Sequence, residues 1–150
     1  MGHSMGGHGA LQIYLQNHFI YKSASAFSPA CNPSKTPWGI KAFSNYLETK
    51  SDHSDSSQPP SEWLEYDSSH LLSTTHAKPG SLHVLVDTGS ADDFLAKGQL
   101  EPRSLAEAAH KSKREMGEIE IRTQEGFDHS YYFVSAVCGV RCHVLRKGVY

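Results

Sequence analysis

The sequence has no stretch near the roughly eighteen consecutive apolar residues of a membrane-spanning helix, no block of like charge, and few cysteines. The first absence excludes a helical membrane span. With 14 Lys+Arg against 16 Asp+Glu, the net charge is −2 and no basic stripe forms, so neither nucleic acid nor an anionic membrane surface is an expected partner. Cys31, Cys138 and Cys142 are odd in number and too few for a disulfide framework in a chain of 150 residues, which predicts a reducing, cytoplasmic setting. The opening Met1-Gly2-His3-Ser4-Met5-Gly6 lacks both the charged and the apolar region of a signal peptide, and Gly6 stands where myristoylation wants Ser or Thr. No metal site is expected either: His3 and His8 have no metal-pair spacing, and Cys138-x-x-x-Cys142-His143 has no second ligand pair elsewhere. Hydrophobic residues make up 38 %, a thin core for one domain or part of one.

What is present reads as alternating elements. Met5 to His18 is small and Gly-rich, then apolar at Leu11, Ile13, Tyr14 and Leu15, as in a helix that packs closely at its start. Tyr21 to Phe27 predicts a short strand stopped by Ser28-Pro29, and Ile40 to Leu47 a helix. Thr49 to Ser61 has no apolar residue and predicts a flexible, solvated loop. Leu82 to Val86 predicts a buried strand between Pro79-Gly80 and Asp87-Thr88-Gly89; Glu101 to Met116 a helix with Pro102 in its first turn; Glu118 to Gln124 a strand; and Ser130 to about Cys142 a closing helix. This order is that of a doubly wound α/β sheet.

Gly2-His3-Ser4-Met5-Gly6 fits G-x-S-x-G, the strand-to-helix turn that holds a serine hydroxyl out above a sheet. Side chains at Gly2 and Gly6 are expected to collide with the neighbouring strand and helix, and the Met5 N–H to point where an oxyanion would form. A bare Gly/Ser turn matches the same five positions, so the motif needs partners. A serine becomes a nucleophile when a histidine takes its proton and an acid orients that histidine. In α/β-hydrolases the chain order is Ser, acid, His, each after a strand. Asp87, Asp92 and Asp93 follow the strand ending at Val86, and His129 follows the one ending at Gln124. Of the other histidines, His53, His70, His76 and His110 read as surface residues and His83 as a strand residue. Asp128 reads as a cap for the next helix, since a side chain does not easily reach its neighbour's imidazole.

At this point three longer motifs carry a resemblance: Gly2-His3-Ser4-Met5-Gly6-Gly7-His8-Gly9-Ala10-Leu11, Asp87-x-Gly89-x-x-Asp92-x-Phe94-Leu95, and Gln124-Glu125-Gly126-Phe127-Asp128-His129-Ser130-Tyr131-Tyr132-Phe133. Together with Cys31-Asn32-Pro33, Pro37-Trp38-Gly39 and Gly98-Gln99-Leu100, they resemble S-formylglutathione hydrolase, also called esterase D, over about residues 2–134. The resemblance implies an α/β-hydrolase fold and a cofactor-free serine thioesterase that cleaves S-formylglutathione to formate and glutathione, a step of formaldehyde disposal. It further implies Ser4 as nucleophile, His129 as general base and Asp92, the second Asp of D-x-G-x-x-D, as the acid.

The chain departs from the family in ways that shape the expectation. The family's early strands and the loop giving a second oxyanion N–H have no counterpart, so residues 1–150 are expected to form the C-terminal part of a doubly wound, mostly parallel sheet. Leu85, Val86, Ile119 and Ile121 would then lose part of their cover and leave an open sheet edge, through which the chain could form a homodimer or associate with a full-length relative. Phe127 stands where tyrosine is usual, and after Phe133 the resemblance fades. Two other readings stay open here: a broad short-chain carboxylesterase, and an inactive fragment. Trp38 either lines the acyl pocket or packs, buried, under a proline-rich loop.

Overall fold

The computed structural model describes residues 1–47, 60–111 and 117–138. Its elements are β1 (Gly2–His3), α1 (Met5–Gln16), β2 (Ala24–Phe27), α2 (Pro37–Tyr46), α3 (Ser61–Leu64), α4 (Ser68–Thr74), β3 (Leu82–Gly89), α5 (Asp93–Ala96), α6 (Pro102–Lys111) and β4 (Gly117–Gln124), followed by α7 over 131–138. The four strands form one sheet in the order β1-β2-β3-β4, and every pairing is parallel. This is the α/β architecture expected from the alternation of elements.

Parallel pairing sets where the strands end. His3 pairs with Phe27, Phe27 with Asp87, and Asp87 with Arg122. The residues after each strand therefore emerge at one end of the sheet, where ligand sites of open α/β sheets form.

The register also sorts side chains by face, because neighbours along a strand point to opposite sides. Ala24, Ala26, Leu82, Val84 and Val86 share one face and pack with Leu11, Tyr14 and Leu15 of α1, Leu72 of α4, and Leu105 and Ala108 of α6. Phe27, on the opposite face, packs with Phe133 and Val137 of α7. Helices thus cover both sides. Contrary to the expectation of lost cover, Leu85 and Val86 are fully buried, and Ile119 and Ile121 pack half-buried against the main cluster. The chain supplies its own covering helices for β3.

Local sequence explains most element bounds. The buried residues of α1, Gly7, His8, Leu11, Tyr14 and Leu15, recur at helical spacing on one stripe. The Thr36 hydroxyl caps α2 by accepting from the Gly39 N–H at 3.2 Å, and Pro37 sits in the first turn, where its missing N–H costs nothing. That cap starts α2 before the expected Ile40. Strand β3 runs on through Asp87, Thr88 and Gly89, which the turn-like composition had placed outside it. Most of the expected loop, 49–59, lies outside the described residues; its last residue, Ser61, already opens α3. The same holds for 112–116 of the helix expected from Glu101, and for 139–142 of the closing helix, including Cys142.

The turn from β1 into α1 explains one glycine and corrects another. A Cβ on Gly2 would lie 2.1 Å from the Gly6 carbonyl oxygen, so no side chain fits there. A Cβ on Gly6 meets nothing within 4 Å among the described residues, against the expected collision. The crowding falls one residue on, at Gly7, whose Cβ would lie 3.1 Å from both the Gly2 carbonyl oxygen and Pro29 Cβ. Gly6 looks outward from the first turn, whereas Gly7 backs onto the sheet. Gly2→Ala is expected to destabilise the chain by about 1–3 kcal/mol through overpacking. Gly6→Ala should be neutral or stabilising by up to about 1 kcal/mol, as alanine favours a helix over glycine. Urea unfolding of the two variants checks this, and the opposite ranking would contradict the packing.

His8 adds a pH dependence. It is buried in α1, with Nδ1 3.1 Å from the Ala30 carbonyl oxygen, and burial lowers its pKa below 6.5, with that carbonyl opposing the shift. The folded chain thus keeps His8 neutral where the unfolded chain binds a proton. The unfolded state takes up more protons as pH falls below 6.5, so stability is fully present above that value and drops beneath it. A single such group contributes a slope of at most about 1.4 kcal/mol per pH unit. Denaturant midpoints measured from pH 8 to 5 should therefore fall more steeply for the native chain than for His8→Phe.

Candidate active site

Ser4 occupies the corner between β1 and α1 with φ 54° and ψ −119°, a conformation that a residue with a side chain rarely adopts. Such a corner costs on the order of 1–3 kcal/mol and persists only where neighbours over-determine it. Here the Ser4 N–H donates to the Phe27 carbonyl at 2.9 Å, and its own carbonyl accepts from the His8 N–H at 2.9 Å. The Ser4 side chain does not cap α1. Met5 follows as the first residue of α1, where a backbone N–H has no acceptor within the helix.

The acid side of the site is built on the loop after β3. Asp92 is 1 % exposed. Its Oδ1 accepts from the Phe94 N–H at 2.8 Å and the Leu95 N–H at 3.3 Å, capping α5, while Oδ2 lies 2.6 Å from His129 Nδ1. One carboxylate thus performs two tasks with two oxygens. Asp87 and Asp93 are placed differently. Asp87 is buried at the end of β3 and accepts from Arg122 Nε at 2.8 Å, Arg122 Nη2 at 2.9 Å and Gln124 Nε2 at 2.7 Å, which ties β3 to β4. Asp87 in turn holds the Arg122 guanidinium even more firmly charged than usual. Asp93 is exposed in the first turn of α5.

The loops bearing Asp92 and His129 are clasped together. A Cβ on Gly89 would lie 2.1 Å from the Phe127 carbonyl oxygen, so only glycine permits the approach. Across the same gap the Ala91 N–H donates to that carbonyl at 2.9 Å, the Ser90 N–H to the Gln124 carbonyl at 2.9 Å, and the Gly126 N–H to Ser90 Oγ at 2.8 Å. Gly126 turns the chain with φ 75°. Asp128 accepts from the Ser130 hydroxyl ahead of α7, and no backbone N–H of that helix is found donating to it among the described residues.

The imidazole of His129 also meets other rings. His3 lies with its centroid at 4.6 Å and Phe94 with its centroid at 4.6 Å. The His3 pKa is lowered, chiefly by burial and then by the neighbouring His129, with Asp92 opposing. Its Nε2 is buried with no hydrogen-bond partner among the described residues. The structure therefore brings Asp92 to His129 directly and sets the residue preceding Ser4 against the same imidazole. It forms no hydrogen bond between the Ser4 hydroxyl and His129 among the described residues.

Trp38 is 38 % exposed on α2, which overturns the buried alternative; its backbone N–H donates to Gln99 Oε1 at 3.0 Å. The buried tryptophan is Trp63, 2 % exposed and packed against Phe43. Cys31 and Cys138 are free thiols, and burial pushes the Cys31 thiol far up, out of the range of a reactive thiolate. Phe94 was not singled out from the sequence. Its signal was its place within the Asp92-x-Phe94-Leu95 cap, where a capping acid brings its own helix against whatever it also bonds.

No helix among the described residues is long and apolar enough to cross a membrane. Comparison with known proteins gives the site its relatives. The Esterase family model matches residues 1–141. The chain is 44 % identical over 135 residues to S-formylglutathione hydrolase of Bos taurus, covering 89 % of this chain and 43 % of that protein. An S-formylglutathione hydrolase from Agrobacterium tumefaciens superposes with a TM-score of 0.75 at 35 % identity, over 97 % of this chain and 47 % of that one. A Bacteroides ovatus structure described as a dipeptidyl aminopeptidase IV shares the fold alone, at 19 % identity and a TM-score of 0.58. The chain thus spans less than half the length of the S-formylglutathione hydrolases it matches. From its family match, its parallel α/β sheet and its similarity to these hydrolases, the chain belongs to the esterase family.

Proposed function

We propose that this chain carries the nucleophile, acid and base of a serine thioesterase, with Ser4, Asp92 and His129 as a catalytic triad and S-formylglutathione as the substrate. The observation that carries the reading is the 2.6 Å bond between Asp92 Oδ2 and His129 Nδ1. If Nδ1 holds the proton and donates it to Asp92, Nε2 keeps its lone pair and is free to take a proton from a hydroxyl. The strained corner at Ser4, one residue from a ring packed against that imidazole, supplies the hydroxyl.

In this scheme Ser4 Oγ attacks the thioester carbonyl while His129 Nε2 takes the hydroxyl proton. The buried Asp92 carboxylate stabilises the imidazolium, and the Met5 N–H donates to the oxyanion, aided by the positive end of α1. Collapse breaks the carbon–sulfur bond, and His129 returns its proton to the leaving sulfur, releasing glutathione. Water, deprotonated by the same imidazole, then attacks the formyl-serine ester, and His129 passes that proton to Ser4 Oγ as the Oγ–carbon bond breaks and formate leaves. The hydrolase matches support this substrate over a general ester; exposed Trp38 is available to contact the acyl side.

Within the whole hydrolase, residues 1–150 would form the C-terminal part of one α/β-hydrolase domain that joins further strands along β1. The far side of that two-residue strand has no strand partner among the described residues, which supports association there. A glutathione-linked substrate and the odd cysteine count support a cytoplasmic place in formaldehyde disposal.

Covalent labelling of the chain by a fluorophosphonate tests the nucleophile, because an elbow serine paired with histidine is far more reactive than a surface serine. Label is expected on Ser4 and absent from Ser4→Ala; label that persists in that variant would refute the assignment. Asp92→Asn should slow labelling by orders of magnitude, by analogy with the roughly 10⁴-fold loss on converting a triad Asp to Asn in serine proteases. Asp93→Asn should change it little. The reverse ranking would place the acid wrongly.

A further inference from the structure

A hydrogen bond at Nδ1 holds an imidazole at one point and leaves its plane to be set by other contacts, since the second side-chain torsion of histidine has broad minima. A swing about that point moves Nε2, the atom that must reach a hydroxyl. Two rings stand against His129 where they would stop the swing. His3 meets it at 4.6 Å with an interplanar angle of 43°, and Phe94 at 4.6 Å with an angle of 53°. Each ring makes its own contact with the imidazole, and no ring contact joins His3 to Phe94 among the described residues.

We propose that His3 and Phe94 form a two-ring clamp that fixes the plane of the His129 imidazole, and that both are positioning residues for the general base. The kinetic consequence rests on the thioesterase reading above; the geometric claim stands apart from it.

Each ring is delivered by an element tied to the site. Phe94 rides on α5, the short helix whose first N–H groups are held by the same Asp92 carboxylate that bonds His129. It remains 44 % exposed, so its packing onto the imidazole is not a by-product of core burial. His3 ends β1 and directly precedes Ser4, so one backbone segment places both the nucleophile and one jaw of the clamp. Tyr131 packs on His3 in turn at 5.5 Å. Burial and the adjacent imidazole both disfavour a charged His3, so it sits as a neutral ring and does not compete with His129 for the Asp92 carboxylate.

The test compares ring-removing variants, Phe94→Ala and His3→Leu, with ring-keeping ones, Phe94→Tyr and His3→Phe, all in the full chain. Solvent exchange of the His129 Nδ1 proton, followed by NMR through its far-downfield resonance, reports how often the imidazole leaves its place. Fluorophosphonate labelling of Ser4 reports the reactive geometry. Phe94→Ala and His3→Leu are expected to speed exchange by about two- to tenfold, the range that an aromatic contact contributes, and to slow labelling by at least as much. Phe94→Tyr and His3→Phe should match the native chain in both. Unchanged exchange in both ring-removing variants, or equal damage from the ring-keeping ones, would overturn the clamp. Should His3→Leu fail to unfold cooperatively, the half-exposed Phe94 decides alone. A native chain that takes no label at Ser4 would refute the thioesterase reading, while the exchange comparison would still decide the clamp.

Discussion

The Phe127 carbonyl oxygen occupies the space that a side chain on residue 89 would fill, and that exclusion sets how closely the loops after β3 and β4 approach. The contact between Asp92 and His129 depends on this spacing. Asp92 and His129 reside on different loops, and a 2.6 Å bond between them leaves no tolerance for a wider gap. Because parallel strands end together, the two loops begin side by side; because residue 89 is glycine, they close fully. The backbone bonds from Ala91 to Phe127 and from Ser90 to Gln124 then lock the closure without using any side chain of the proposed triad.

Two buried aspartates at the same sheet end show how surroundings divide roles among identical residues. Asp87 meets a guanidinium in bidentate fashion and an amide besides, a saturated set of charge-assisted bonds that leaves the carboxylate committed to holding β3 against β4. Asp92 meets two backbone N–H groups on one oxygen and an imidazole on the other. Its capping bonds offset the cost of burying a carboxylate and aim the second oxygen. Breaking Asp87 away from Arg122 would loosen the platform, whereas altering Asp92 would leave the platform and change the imidazole.

The features legible in the sequence are those with a short-range physical cause. The elbow glycine at residue 2, the apolar run of β3 and the D-x-G-x-x-D spacing each encode a local steric or hydrogen-bond demand, and each occupies its expected place. Chain order alone leaves Asp87, Asp92 and Asp93 equivalent, whereas the structure bonds Asp87 to Arg122 and sets Asp92 against His129. Features set by distant parts of the chain were not legible. Whether Gly6 is crowded depends on what faces the first turn of α1, and Trp38 and Trp63 exchange surface and interior according to how α2 and α3 meet. The short α3, α4 and α5 hold too few residues for a periodic pattern, so caps and packing make them helices rather than propensity. Likewise Gly89 ends a strand because Gln124 pairs with it, although Asp-Thr-Gly reads as a turn in isolation.

The strained corner at Ser4 rests on the shortest strand among the described residues. β1 contributes two residues, and its pairing with Ala26 and Phe27 helps hold Ser4 at positive φ. The Ser4 N–H bond to the Phe27 carbonyl continues that ladder one step past the strand, into the strained residue itself. On the other side, the crowding of Gly2 and Gly7 presses the start of α1 against the same ladder. Strain at Ser4 is thus opposed by close packing on one side and by a short run of hydrogen bonds on the other. A further strand paired to the open side of β1 would stiffen that ladder without touching Ser4, and the geometry of the hydroxyl would follow from the sheet. The site therefore divides into Asp92 with His129, held across two clasped loops, and Ser4, held between the β1–β2 ladder and the close packing at the start of α1.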